Sequence, residues 1–191
     1  MSIGSERARE LLKTSSFLGG LPNGLLDALA CRVRVSRFMR GETIFSCGEA
    51  GDSLMIILSG QIKITNVTLD GREIILNFLG KGDITGEIAL LDGRPRTADA
   101  TALEPTEALV LRRRDLLPIL NAYPEAMLEL IAILCDKLRA ASAVIEENTL
   151  PMIARTAAGL LRLCDQHGRV VKAGTLIDLK LSQSDLGNYC G

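Results

Sequence analysis

The sequence predicts an α+β chain: short strands closing a barrel or sandwich, then a long helix, then a small mixed tail. Three observations predict it. Short apolar runs recur between glycine-marked turns from Val33 to Arg113. Apolar residues fall at heptad steps from Met127 to Ile145. Beyond Pro151 a helical stretch, a hairpin and the start of a further helix follow one another closely. The sequence shows neither βαβ alternation nor a dinucleotide glycine fingerprint, which argues against a parallel α/β sheet.

Residues 5 to 14 read as a short helix. Gly19-Gly20 and Pro22-Asn23-Gly24 interrupt the chain, and Leu25, Leu26, Leu29 and Ala30 then fall at helical spacing. Strand-like runs come next. VRVSRF and ETIF are separated by Arg40-Gly41, CGEAGD reads as a turn, and SLMIILSG is a buried strand ending at Gly60. QIKITNVTL and REIILNFL flank Asp70-Gly71, a hairpin signal because glycine tolerates positive φ. After Lys81-Gly82-Asp83, TADATAL and EALVLRR form two more β-like runs around Glu104-Pro105. Strands so short and so regularly punctuated suit a barrel or sandwich.

The character changes near Arg113, where RRDLLPILNAYPEA holds a short helix and Pro124 sits where a longer one can begin. Met127, Ile131, Leu134, Leu138, Ala141 and Ile145 are separated by steps of 4, 3, 4, 3 and 4, the seam of a coiled coil. The seam predicts a homodimer, although Leu128, Leu130 and Ile133 widen the stripe enough for the helix to pack on its own barrel. IARTAAGLLRLCDQHG reads as a helix ending at Gly168, and RVVKAGTLIDLKL as a hairpin turning at Lys172-Ala173-Gly174. In LSQSDLGNYCG, Ser182 or Ser184 can cap a helix and Asp185 suits its positive end.

Composition narrows the function. Lys and Arg total 22 against 23 Asp and Glu, a net charge of −1, which offers no whole-chain attraction to nucleic acid. No apolar run approaches the ~20 residues of a membrane span. The polar start MSIGSERARELLK has no signal-peptide apolar region, so the chain is expected to be cytoplasmic, without a membrane partner. Cys31, Cys47, Cys135, Cys164 and Cys190 are scattered and read as buried or idle thiols. His167 is the only histidine, in a turn-like segment, and reads as a surface residue. That inventory leaves little room for a zinc site or a Cys–His nucleophile, and no catalytic residue is expected.

One stretch resists these bland readings: GEIALLDGRPRTA, Gly86 to Ala98. Gly86 lets the backbone turn, and Glu87 to Leu91 can make one helical turn whose first N–H groups point outward, as suits a phosphate. Arg96 adds a planar guanidinium able to grip two phosphate oxygens. Thr97 and Ala98 are small enough for close backbone approach, and Thr97 brings a hydroxyl. Glu87 is an acceptor, suited to a ribose hydroxyl. Together these describe a metal-free nucleotide site; the alternative is a surface loop with an Arg–Glu pair.

The stretch resembles the phosphate-binding cassette of cyclic-nucleotide-binding domains, matching it at Gly86, Glu87, Ile88, Ala89, Leu90, Arg96, Thr97 and Ala98. Gly93 and Pro95 also resemble the regulatory subunits of cyclic-AMP-dependent kinases. Upstream, Gly41 to Ile64 resembles the family's glycine-punctuated barrel, and the tail from Arg169 resembles the front of the winged helix-turn-helix of bacterial CRP/FNR regulators. The resemblance implies a cyclic-nucleotide-binding domain at residues 1–123, with its jelly roll at roughly 15–112, a dimerisation helix at 124–148, and a partial winged helix-turn-helix at 149–191. It implies that Glu87 takes the ribose 2′-OH, that Arg96 takes the cyclic phosphate, and that backbone N–H groups near Ile88, Ala89 and Thr97 complete the cradle.

The effector is expected to be cyclic AMP or cyclic GMP, with no metal, haem or iron–sulfur cluster. FNR-type members hold a cluster on grouped N-terminal cysteines, and only Cys31 precedes the barrel here. Thr97 fits a guanine amino group as well as a cyclic-AMP regulator, and the helix presents Ala141-Ser142 where relatives present Thr-Ser to the adenine, so Ser142 is the expected base contact. DNA is the expected target of a longer natural chain, but not of residues 1–191 alone, which contain no second helix to read bases. A stand-alone binding module is the alternative.

Overall fold

The computed structural model describes residues 5–15 and 17–191; the first four residues of the polar N-terminal stretch and Ser16 lie outside it. Eight strands form two four-stranded antiparallel sheets. One runs in the order β1-β8-β3-β6: β1 (Arg34–Phe38), β8 (Thr106–Arg112), β3 (Ser53–Ser59) and β6 (Ile84–Thr85). The other runs β2-β7-β4-β5: β2 (Thr43–Phe45), β7 (Asp99–Ala102), β4 (Ile62–Val67) and β5 (Glu73–Leu79). Together they make the jelly roll.

Strand β3 shows why its sequence is continuously apolar rather than alternating. Six successive residues, Ser53 to Leu58, are buried. Met55 and Ile57 face Phe45, Ile62, Leu79 and Ala100 of the second sheet. Leu54, Ile56 and Leu58 face the other way, into a core with helices α1 (Ser5–Lys13), α2 (Asn23–Ala30) and α4 (Arg113–Ala122). A strand covered on both faces has no polar side to present.

Helix α5 (Pro124–Glu147) carries two apolar stripes one residue apart. Ala126 and Leu130 are buried in the barrel-side core, and Ile133 packs against it. The predicted seam is divided: Met127, at its start, packs against the barrel-side core and Leu134 is half-buried, whereas Ile131, Leu138 and Ile145 are 46%, 69% and 69% exposed. The helix therefore packs on its own barrel along one row and leaves Ile131, Leu138 and Ile145 exposed along a neighbouring one. Successive residues are ~100° apart on a helix, so heptad rows displaced by one position line adjacent surfaces.

The sequence does not show where residues after about 150 pack. Helix α6 (Met152–His167), the hairpin of β9 (Gly168–Val171) and β10 (Gly174–Ile177), and α7 (Gln183–Cys190) dock on the outer face of β5. Ile75 and Phe78 of β5 join Leu163, Tyr189 and Cys190 in a third core. Lys63 of β4 pairs with Glu73 at 2.7 Å and with Asp185 of α7 at 3.6 Å. Of the two serines able to cap α7, Ser182 does so, in a reciprocal box with Asp185. Among the described residues no helix is long and apolar enough to cross a membrane.

One expectation fails here. His167 is not a surface histidine: it is half-buried where α6 meets the barrel, its Nε2 has no hydrogen-bond partner among the described residues, and Asp83 and the Phe78 backbone stand beside it. The apolar residues of α6 and α7 that bring it there are far from Phe78 in sequence, so its turn-like surroundings gave no sign of the contact.

Candidate functional site

The stretch Gly86 to Ala98 links β6 to β7, the two sheets of the barrel. Its helical turn is α3 (Glu87–Asp92). Gly86 opens that turn at φ 81°, a left-handed conformation that favours glycine. Space demands glycine as well, since a Cβ there would stand 2.4 Å from Arg96 Nη1 and 2.7 Å from the Ser53 carbonyl oxygen. At the far end of α3, Arg113 Nη1 donates to the Leu90 carbonyl at 2.7 Å, satisfying an acceptor that the short helix leaves open. The returning limb is zipped to the turn before β3, through Arg96 N to Glu49 O at 2.8 Å and Gly48 N to Arg96 O at 2.9 Å. Gly51 in that turn lies so close that a Cβ would meet the Ala89 Cβ at 2.4 Å.

These constraints bring Arg96 and Glu87 together inside the barrel, 6% and 3% exposed. Arg96 donates from Nη1 to the Gly86 carbonyl at 2.9 Å and from Nη2 to Ser53 Oγ at 3.1 Å. Its guanidinium lies 4.5 Å from the centre of the Phe45 ring, a cation–π contact. Among the described residues no carboxylate lies within ion-pair distance of it. Burial pulls its pKa below the ordinary arginine value, against the longer-range pull of Asp52, Glu87 and Glu49. It remains a cation near neutral pH, because that ordinary value is so high.

Glu87 has a partner that sequence reasoning missed. Lys137 of α5 donates from Nζ to Glu87 Oε1 at 2.8 Å and to the Ile84 carbonyl at 3.1 Å. The long helix is thereby tied to the site from outside the barrel. A sequence signal existed: Lys137 lies seven residues beyond buried Leu130, on the barrel-facing row of α5. Ser53 and Phe45, which hold Arg96, read in sequence only as strand residues.

The other expected residues fall as follows. Ala89 and Ala98 are buried, and Ile88 is 41% exposed. Thr97 is exposed, and its carbonyl accepts from Asn66 Nδ2 at 3.5 Å. Ser142 is exposed on α5 and stands apart from the cluster. It is five positions beyond Lys137, ~140° further round the helix at ~100° per residue. Among the described residues no group of three or more His, Cys, Asp and Glu is placed to hold a metal ion.

A buried cation without an ionic partner, beside a buried carboxylate and a tight glycine turn, is chemically suited to a small anion that also carries a hydroxyl. Comparison with known proteins places that chemistry in a family. Residues 35–123 match the cyclic nucleotide-binding domain. The chain is 30% identical over 183 residues to the CRP-like cAMP-activated global transcriptional regulator of Mycobacterium tuberculosis, covering 95% of this chain and 82% of the relative. It is 32% identical over 156 residues to the cyclic AMP receptor protein of Thermus thermophilus, covering 81% and 72%. Among solved structures it resembles the catabolite activator protein of Thermus thermophilus, with 33% identity and a TM-score of 0.63, covering 80% of this chain and 72% of that one. The chain belongs to the CRP-like family of transcription regulators, built on a cyclic-nucleotide-binding jelly roll, and is not an enzyme.

Proposed function

We propose that the chain is a cyclic-AMP sensor: the cyclic phosphate binds Arg96, the ribose 2′-OH binds Glu87, and occupancy controls DNA binding through the C-terminal unit. The observation that carries this reading is Arg96, buried to 6% exposure and held only by neutral groups. A buried charge without a counter-charge is costly, and a phosphate supplies one. Gly86, Ile88, Ala89, Thr97 and Ala98 shape the cradle around it. Support for cyclic AMP over cyclic GMP comes from the relatives, named as cAMP-activated and as a cyclic AMP receptor.

The same reading divides the chain into a sensor, residues 1–123, a coupling helix, 124–148, and the start of a DNA-binding unit, 149–191. Lys137 gives the coupling its physical route, because the α5 lysine holds the carboxylate that the ribose needs. The exposed row Ile131, Leu138 and Ile145 supports a homodimer through α5. Ser142 lies on that outward side, so its hydroxyl serves the ligand of the second protomer rather than its own. The test is calorimetric titration with cyclic AMP and cyclic GMP in parallel. Cyclic AMP should bind once per chain and more tightly. A tenfold preference for cyclic GMP overturns the choice of effector, and binding of neither overturns the reading itself.

A further inference from the structure

We infer that His167 is a proton-operated latch: its neutral imidazole lets the C-terminal unit seat on the barrel, and its protonation drives that unit off. The inference stands apart from the cyclic-nucleotide reading, which makes no use of this ring. His167 is the last residue of α6, and Gly168 opens β9 directly after it. The ring sits where three parts of the chain meet. It lines a cavity of about 230 Å³ together with Phe78, Leu79 and Asp83 of the barrel, Lys137 of α5 and Gln166 of α6.

A second proton on the ring has no acceptor. Nε2 is shut off from solvent and has no hydrogen-bond partner among the described residues. Whichever nitrogen carries the proton in the neutral ring, the imidazolium carries one on both. The N–H at Nε2 would then be a buried donor without a partner, which is costly. The charged groups around the ring do not offset that cost. Asp83, from the β5–β6 turn, favours the imidazolium, but its carboxylate already accepts from Gly80 N at 2.8 Å. Lys137, from α5, brings a like charge to the same cavity. On the C-terminal side the neighbouring Arg169 is another cation, 3.9 Å from Asp178. Burial outweighs the pull of Asp83 and holds the imidazole pKa below the ordinary histidine value.

The ring is fixed to its own unit. A Cβ on Gly168 would stand 2.2 Å from the Cys164 carbonyl oxygen and 2.5 Å from Thr175 Cγ2, so the chain after His167 is packed tightly against α6 and β10. The His167 carbonyl accepts from Asp178 N at 3.5 Å. Protonation therefore acts on the contact between this unit and the barrel. That contact is the third core, where Ile75 and Phe78 meet Leu163, Tyr189 and Cys190. Polar ties flank it: Gln61 Nε2 donates to the Asp178 carbonyl at 2.7 Å, and Asn188 Nδ2 to Glu73 Oε1 at 3.4 Å. Against the cost of burial, Ser182 and Lys63 hold the Asp185 pKa below the ordinary carboxylate value, so Asp185 stays charged where histidine titrates. A proton that binds the released form more tightly than the seated one shifts the balance toward release as pH falls.

The sequence holds one histidine, so the ring gives a single imidazole signal by NMR. On the whole chain that signal should titrate with a midpoint below the ordinary value of ~6.5. Exchange saturation transfer on the Ile75 methyl and the Tyr189 ring reads the fraction of the C-terminal unit that is off the barrel. Going from pH 7.5 to 5.5 should raise that fraction by up to about tenfold, the limit for one proton of ordinary pKa in the released form. Asp83→Asn keeps an acceptor for Gly80 N and loses the favourable charge, so it should move the midpoint lower still. His167→Gln should abolish the pH step. A midpoint at or above ~6.5 on the unmodified chain overturns the inference. So does a ring that titrates lower while the released fraction changes by less than about twofold, since the ring would then swing out alone. A pH step of the same size in folded His167→Gln assigns release to another group and overturns it too.

Discussion

Replacing Lys137 with Met tests whether α5 is energetically tied to the nucleotide site. The substitution keeps most of the apolar stem and removes the ammonium, leaving Glu87 without the cation that sits 2.8 Å from Oε1. Side-chain exposure is 33% for Lys137 and 4% for Glu87, so the pair is neither a surface bridge nor a fully buried one. Exposed pairs contribute about 0–1 kcal/mol, and stripping one partner from a buried pair costs about 3–5 kcal/mol. The intermediate exposure places the cost at about 2 kcal/mol. A urea dependence of about 3 kcal/mol per molar converts that into a midpoint about 0.7 M lower. The assay is urea unfolding at one fixed protein concentration, on Lys137→Met, Glu87→Gln and the double variant. Glu87→Gln removes the charge that needs a partner, so the double variant should recover part of the loss. A coupling below about 0.5 kcal/mol is indistinguishable from additivity, and would refute the claim that Lys137 holds Glu87.

Other predictions follow from the same geometry. Leu138→Glu places a carboxylate on the exposed row of α5, where Leu138 is 69% exposed in the single chain; a dimer through that row should dissociate, read by light scattering, because burying the charge costs several kcal/mol. Gly86→Ala should weaken cyclic nucleotide binding at least about tenfold by calorimetry, since its Cβ would stand 2.4 Å from Arg96 Nη1 at φ 81°. Burial holds the His167 pKa below its ordinary value, so the unfolded chain takes up that proton first as pH falls. The stability this site contributes is therefore present above pH ~6.5 and lost below it. The melting temperature of the unmodified chain should drop more between pH 7.5 and 5.5 than that of His167→Gln, and parallel drops would count against a buried neutral imidazole.

The barrel was legible because each strand is short, apolar and closed by a turn residue that local chemistry explains, such as Asp70-Gly71 between β4 and β5. The cassette was legible because its geometry is local: Gly86, the helical turn and Arg96 lie within eleven residues and constrain one another through backbone and side chain. What stayed hidden depends on contacts between distant segments. Lys137 reaches Glu87 from fifty positions away, and its row on α5 differs from the dimer row by a single residue, so periodicity alone cannot separate them. The docking of α7 on β5 was hidden for a similar reason: Ile75 and Phe78 gain one face of burial only when Tyr189 and Cys190 arrive. The five-residue β1 is at most half-buried at the edge of its sheet, whereas the interior strand β3 is covered on both faces, a difference set by strand order that sequence does not give.

The most direct measurement of the central claim is the affinity of the unmodified chain and of Arg96→Ala for cyclic AMP, determined by calorimetry under identical conditions. A charge-assisted hydrogen bond contributes roughly 1.5–3 kcal/mol, so loss of the guanidinium should weaken binding by about 10- to 150-fold. Arg96→Lys should also bind more weakly, because a point charge does not reproduce the planar fork. Unchanged affinity in a folded Arg96→Ala would contradict the account, because the buried cation would then have no part in holding the phosphate.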